Sequence, residues 1–193
     1  MDRVSQRPSG IVLAGGKARR MGGIDKALIT VEGRTIFERT RTVLEPRVDE
    51  IIVVTPHPGR YPPGTRTTDD IRPDCGPLGG LHAGLSAARR EHAFVVACDM
   101  PFLSPPLVDF LLSLAGTAEA VVPEWEGRLQ TLHAVYDCRL ASAAGEALDR
   151  GVRALREFLS GHRVRVVAPG EVAGIEGASR SFKNFNTPDD MDP

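Results

Sequence analysis

The chain reads as a single α/β domain built on a largely parallel sheet. Three observations predict it. Short apolar runs alternate with segments of helical periodicity along the chain. The first run, Ile11 to Ala14, is apolar throughout, as a strand covered on both faces must be, and breaks off at the pair Gly15-Gly16. The third, Phe94 to Ala97, ends in Cys98-Asp99-Met100-Pro101. In open parallel sheets ligands lie beyond the carboxyl ends of the strands, so both endings are expected at one crevice.

After the first strand the chain becomes a loop in which Gly15, Gly16, Gly22 and Gly23 are interleaved with Lys17, Arg19, Arg20 and Lys26. Glycines let the backbone approach a ligand closely and the cations gather positive charge, a cradle suited to a polyphosphate. The spacing is neither that of a dinucleotide fingerprint nor that of a P-loop. Thr35 to Leu44 then reads as a helix closed by Pro46, and Ile51 to Val54 as the second buried strand. Thr55 to Thr68 is rich in proline and glycine, a loop and a candidate for motion, leading to a short strand near Thr65 to Asp69. Gly76-Pro77 opens a helix with Leu78, Leu81 and Leu85 on one face, expected to finish at Ala87-Ala88-Arg89-Arg90 with cations near its carboxyl end.

Following the third strand, Ser104-Pro105 has the N-cap and first-turn pattern of a helix whose Leu107, Phe110, Leu111 and Leu114 recur at three and four. Ala120 to Pro123 and Leu132 to Tyr136 are strands, and Leu140 to Leu148 is a helix. A further helix carries Val152, Leu155, Phe158 and Leu159 on one face, and Val164 to Ala168 is a strand. At the end, Thr187-Pro188-Asp189-Asp190 has the makings of another helix start.

Composition narrows the function. With 193 residues, 41% of them hydrophobic, one well-filled core is expected over residues 1–193. Lys+Arg (24) and Asp+Glu (25) balance, which leaves no overall charge to recruit nucleic acid or an anionic membrane and makes the cations around residue 20 a local feature. Cys75, Cys98 and Cys138 are widely spaced, suiting neither a disulfide framework nor a zinc site. The first ten residues lack the apolar centre of a signal peptide, and a cytoplasmic protein is expected.

Asp99 is the strongest single carboxylate. A magnesium ion takes one or two protein oxygens and fills its shell with water and substrate phosphates, so a lone aspartate at a strand end suffices. A turn or N-cap aspartate is the structural alternative. Asp69 and Asp70 suit a nucleotide contact or a polar turn equally well. Gly76, Gly79, Gly80 and Gly84 imply close approach of either a ligand or a strand. His133 reads as a structural histidine with its hydrogen bonds made. Arg153 and Arg156, three apart on one expected helix face, default to a surface role. Asn184 and Asn186 could orient a phosphate or serve as turn residues. No nucleophile set is legible in order or spacing, and positioning with charge neutralisation would carry phosphoryl chemistry without one.

The stretch Leu13-Ala14-Gly15-Gly16-Lys-Ala-Arg-Arg-Met21-Gly22-Gly23-Ile-Asp25-Lys26 closely resembles the opening motif of the molybdenum cofactor guanylyltransferases. Asp70 before Gly76-Pro77-Leu78-Gly79-Gly80, Cys98-Asp99-Met100-Pro101, Leu132-His133-Ala134-Val135-Tyr136, Gly151-Val152-Arg153 through Leu159, and Asn184-Phe185-Asn186-Thr187-Pro188 resemble that family's later motifs in order. The resemblance implies a Rossmann-like three-layer sandwich of nucleotidyltransferase type. It further implies transfer of GMP from Mg-GTP to the molybdopterin cofactor with release of pyrophosphate, and transient contact with molybdoenzymes or delivery proteins. Carried across, Leu13, Ala14 and Gly15 would contact the nucleotide, Lys26 its phosphates, Asp70 the nucleotide, and Asp99 the Mg2+. The loop itself adds Gly16 to the nucleotide contacts and one of Arg19 or Arg20, with Arg20 chosen, to the charge on the phosphates. Arg153, Asn184 and Asn186 would face the pterin. Gly79 departs from a more usual alanine, and the chain stops soon after Asp190 where relatives continue a helix. Cytidylyl-transferring relatives, which usually open Leu-Ala-Ala-Gly, are the nearest alternative; Gly15 and Asp25 favour guanine. Another small-molecule nucleotidyltransferase is more distant, and a non-catalytic nucleotide-binding module would have little reason to keep both Lys26 and Asp99.

Overall fold

The apolar run after Pro8 forms β1 (Ser9–Leu13), buried along its whole length. The structure, a computed structural model, describes residues 7–14, 25–69, 71–72 and 74–185. A short hairpin of β2 (Thr30–Val31) and β3 (Arg34–Thr35) leads into α1 (Ile36–Leu44). Here the Glu38 amide donates to the Thr35 hydroxyl and the Thr35 amide to the Glu38 carboxylate, a reciprocal cap that fixes where the helix begins. The chain continues through β4 (Glu50–Val54), β5 (Arg66–Thr68), α2 (Gly76–Ala87), β6 (His92–Ala97), α3 (Pro105–Ser113), β7 (Ala120–Trp125), β8 (Arg128–Leu129) and β9 (His133–Asp137). It then forms α4 (Leu140–Asp149), α5 (Leu155–Leu159), β10 (Val164–Val167) and the short α6 (Pro169–Val172) and α7 (Ala178–Ser181).

The main sheet has the order β10-β7-β9-β6-β1-β4-β5, with β8 paired to the end of β7. β1 is parallel to both neighbours, with Leu13 level with Val54 on one side and Ala97 on the other. β9 runs against β6 and β7, so the expected parallel sheet carries an antiparallel strand inside it.

Alternation along the strands divides the core. Ile11, Leu13, Val54 and Val95 face α2, α4 and α5, whereas Val12, Val53, Phe94 and Val96 face α1 and α3. That is a three-layer sandwich, and one α/β domain. On the first face α2 lies very close to β1. A methyl group placed on Gly84 would sit 2.5 Å from Ile11 Cγ2, so sheet packing, and not a ligand, accounts for this glycine. Gly84→Ala is expected to destabilise the protein by about 1–3 kcal/mol through overpacking, read as a lower urea midpoint at unchanged m-value.

Two helix limits differ from expectation. α2 stops at Ala87, and Ala88 is already extended, because Arg89 and Arg90 are drawn to the acidic start of β4. The Arg89 amide donates to Glu50 (2.7 Å) and Arg90 pairs with Asp49 (3.0 Å), so neither sits in the last turn of a helix. Likewise Val152 and Arg153 precede α5 instead of belonging to it. Arg153 Nη1 donates to the carbonyls of Leu148 and Val152, both at 2.9 Å, holding the end of α4, and therefore shares no helix face with Arg156. The helix start expected at Thr187 lies outside the described residues.

Candidate active site

The order of the strands decides where the site lies. From β1 the chain moves to one side through β4 and β5, then returns through α2 to β6 on the other side of β1. The carboxyl ends of β1 and β6 thus flank the point where the winding reverses, the place at which a parallel sheet opens a crevice. Ala14 emerges from one lip and Cys98-Asp99 from the other. Their backbones are tied: the Cys98 amide donates to the Leu13 carbonyl (3.1 Å) and the Ala14 amide to the Val54 carbonyl (2.9 Å).

The chain re-enters this crevice at Asp25. One carboxylate oxygen of Asp25 accepts the Ala27 amide and the other the Tyr61 hydroxyl, each at 3.1 Å, which anchors the single 3-10 turn Lys26–Leu28. Tyr61 is buried and meets Phe37 edge-on at 5.0 Å between ring centroids. Burial, together with the negative Asp25, pushes its phenol well above the ordinary range, so it stays a neutral donor. The loop read as a candidate for motion is therefore pinned by one aromatic residue. Asp25 works here as the anchor of the turn that begins at Lys26.

Lys26 is close enough to Asp99 for its charge to act on it. Burial raises the Asp99 carboxyl above its ordinary value, and the Lys26 ammonium opposes that rise. Among the described residues Asp99 Oδ1 is a buried oxygen without a hydrogen-bond partner. A buried anionic acceptor with no donor costs free energy and suits a cation. No group of three or more His, Cys, Asp or Glu among the described residues is arranged to hold a metal. The residues thus fit a hard divalent ion that takes one protein carboxylate and completes its shell with substrate oxygens and water, the habit of Mg2+. Beside it, burial and the two nearby carboxylates push the Cys98 thiol up to about 12, which leaves it an inert packing residue and not a nucleophile.

Other expected site residues are placed unevenly. The Leu13 side chain packs in the core against α2, within 3.6 Å of where a Gly80 methyl would be, whereas Ala14 is half-buried at the lip. Asn184 is exposed and stands beside the site, since the amide of its neighbour Phe185 donates to the Asp99 carbonyl (2.6 Å). Arg153 is exposed at the start of α2, where its carbonyl accepts the Leu78 amide (3.4 Å). Gly15, Gly16, Arg20, Asp70 and Asn186 lie outside the described residues. His133 is fully buried between Phe94 and Phe182, at 5.3 and 5.0 Å between ring centroids. Contrary to expectation its hydrogen bonds are not made: among the described residues both ring nitrogens lack partners. Sequence reasoning gave no role to Tyr61, whose only signal was a lone aromatic in a proline-rich loop.

Residues 10–166 match the MobA-like NTP transferase domain. The chain belongs to that family. A probable molybdenum cofactor guanylyltransferase of Methanosarcina mazei is 37% identical over 197 residues, covering 95% of this chain and 88% of the relative. The crystal structure of molybdopterin-guanine dinucleotide biosynthesis protein A from Archaeoglobus fulgidus aligns with a TM-score of 0.79 at 24% identity, covering 95% of this chain and 94% of that one. The 2-C-methyl-D-erythritol 4-phosphate cytidylyltransferase of Thermus thermophilus aligns with a TM-score of 0.72 at 22% identity, covering 96% of each chain. Both structures share the fold. As a family member the chain is a nucleotidyltransferase. No helix among its described residues is long and apolar enough to cross a membrane.

Proposed function

We propose that this nucleotidyltransferase transfers GMP from Mg-GTP to the terminal phosphate of the molybdopterin cofactor and releases pyrophosphate. The observation that carries the reading is the buried Asp99 oxygen, without a hydrogen-bond partner among the described residues, beside Lys26 at the reversal point of the sheet. The names of the relatives support a guanylyl group and the molybdenum cofactor as donor group and acceptor.

In this reading the acceptor's phosphate oxygen attacks the α-phosphorus in line, a P–O bond forms as the bond to the β-phosphate oxygen breaks, and the electron pair leaves on pyrophosphate. The attacking phosphate is already ionised, so no side chain has to remove a proton. Lys26 neutralises charge growing on the leaving group, and Arg20 is proposed to share that task. Asp99 would hold the Mg2+, whose contribution when bound is to neutralise charge on the phosphate oxygens. Leu13, Ala14, Gly15, Gly16 and Asp70 are proposed to bind the nucleotide, the last three from outside the described residues. Arg153, Asn184 and Asn186 are proposed to receive the pterin; the exposure of Arg153 and the link from Phe185 to Asp99 support two of these.

The test is pyrophosphate release with purified molybdopterin cofactor and GTP, CTP or ATP in competition. GTP is expected to be consumed first, and a preference for CTP would move the assignment to a cytidylyltransferase. In the same assay Lys26→Ala should lower kcat/KM for GTP by about a hundredfold, the scale of one well-placed electrostatic group. An unchanged kcat/KM would remove Lys26 from the nucleotide site.

A further inference from the structure

Lys26 and Asp99 reach the crevice on separate segments, and one side chain measures the gap between them. Arg39, on α1, donates from Nε to the carbonyl of Pro101 (3.0 Å), from Nη1 to the carbonyl of Val31 (3.3 Å), and pairs through Nη2 with Glu32 (3.0 Å). Pro101 follows Asp99 by two positions, and Val31 and Glu32 sit in the hairpin that begins just after the Lys26 turn. The guanidinium also lies 5.2 Å from the centre of the Phe102 ring and is only 22% exposed.

Beneath it is a small apolar cluster separate from the two main cores: Val31, Ile36 and Phe185, with Ile29 and Phe102 against them. The cluster joins the Lys26 segment, the Asp99 loop and the chain that carries Asn184. Arg180 closes it from the other side, 3.8 Å above the Phe102 ring and 3.0 Å from Glu32. Planar, rigid and donating in fixed directions, a guanidinium holds three acceptors at set separations, which a lysine ammonium on a flexible stem does not.

We propose that Arg39 is a positioning residue for the transfer reaction, acting by fixing Lys26 relative to Asp99. It touches neither substrate nor reacting atoms. The proposal rests on the roles given above to Lys26 and Asp99. Misplacing a charge-neutralising group by about 1 Å lowers the chemical step by up to about a hundredfold while leaving ground-state binding largely intact.

The experiment compares Arg39→Gln and Arg39→Lys with Arg47→Gln. Arg47 is the natural control: it donates twice to Asp109 (2.8 and 2.9 Å) and once to the Val43 carbonyl (2.9 Å), and among the described residues none of these partners belongs to the Lys26 or Asp99 segments. Both Arg39 variants are expected to lose at least tenfold in kcat with the KM for GTP within threefold of the parent. Their thermal midpoints should fall no further than that of Arg47→Gln, which keeps its kcat. Adding Arg39→Gln to Lys26→Ala should cost less than a further threefold, because the group to be positioned is gone. A kcat within twofold of the parent for either Arg39 variant, or full additivity with Lys26→Ala, overturns the proposal. If Lys26→Ala alone keeps its kcat/KM, the reading beneath it falls as well; a loss there with normal Arg39 variants sinks the positioning role alone.

Discussion

Asp99→Asn is expected to cut kcat by about a hundredfold or more, about 2.7 kcal/mol in the barrier, while making the metal-free protein harder to unfold. The two effects share one cause. In the folded protein burial raises the carboxyl above its ordinary value, more than the Lys26 ammonium lowers it, so the native state holds its proton to higher pH than the unfolded chain does. Between the unfolded and folded values the native state binds more protons, and stability falls as pH rises through that window. Above the folded value the full cost of burying the ionised group is present; below the unfolded value it vanishes. An amide of the same shape carries no such charge. The thermal midpoint in EDTA should therefore be higher for Asp99→Asn than for the parent at pH 7, and the difference should close as the pH falls below about 4. Near-normal turnover in this variant would remove Asp99 from the active centre.

The second large effect is acid destabilisation through His133. Desolvation in a wholly apolar setting lowers its pKa to about 3, against an ordinary value of 6.5. Below 6.5 the unfolded chain binds a proton that the native state refuses, so stability is lost as the pH falls, by up to about 1.4 kcal/mol per pH unit until about pH 3. Carboxylates held low by their partners, such as Glu50 and Asp137, begin to matter only under about pH 4.5, and comparison of a His133 variant with the parent cancels the titration of groups common to both, Asp99 included. His133→Leu removes the titration and a ring whose nitrogens have no partner among the described residues. At pH 7 it should be about as stable as the parent. At pH 5 it should be about 2 kcal/mol more stable relative to the parent, read from urea midpoints at the two pH values. Equal pH slopes would show that the imidazole is solvated in the native state.

Much of the architecture was legible because it rests on local pattern. Ile11 to Ala14, Ile51 to Val54 and Phe94 to Ala97 are unbroken apolar runs, and only a strand covered on both sides accommodates them. Their order along the chain, with helices between, already implied that the ends of the first and third strands, at Ala14 and Cys98-Asp99, lie side by side. What escaped depends on contacts between distant residues. Tyr61 and Asp25 meet across 36 positions, and nothing local distinguishes that tyrosine from any other in a loop. Arg39 reads as one cation among several on a surface helix until Pro101, 62 positions on, is brought to its Nε. The limits of α2 and α5 were misplaced for the same reason. Asp49 and Glu50 pull Arg89 and Arg90 off the end of one helix, and the open carbonyls of α4 claim Arg153 before the other begins. Local periodicity continued through both points because it has no knowledge of partners. The apolar neighbours of His133 mark it as structural, but the rings that enclose it without a hydrogen bond include Phe182 from the far end of the chain.

We propose that Asp99 and Lys26 together hold a metal-bound triphosphate at the reversal point of the sheet. This is tested most directly by calorimetric titration of a non-hydrolysable GTP analogue into the parent and Asp99→Asn, each with Mg2+ and with EDTA. Mg2+ should tighten binding to the parent at least tenfold and leave the variant's affinity nearly unchanged. The same gain from Mg2+ in both proteins would show that Asp99 does not hold the ion.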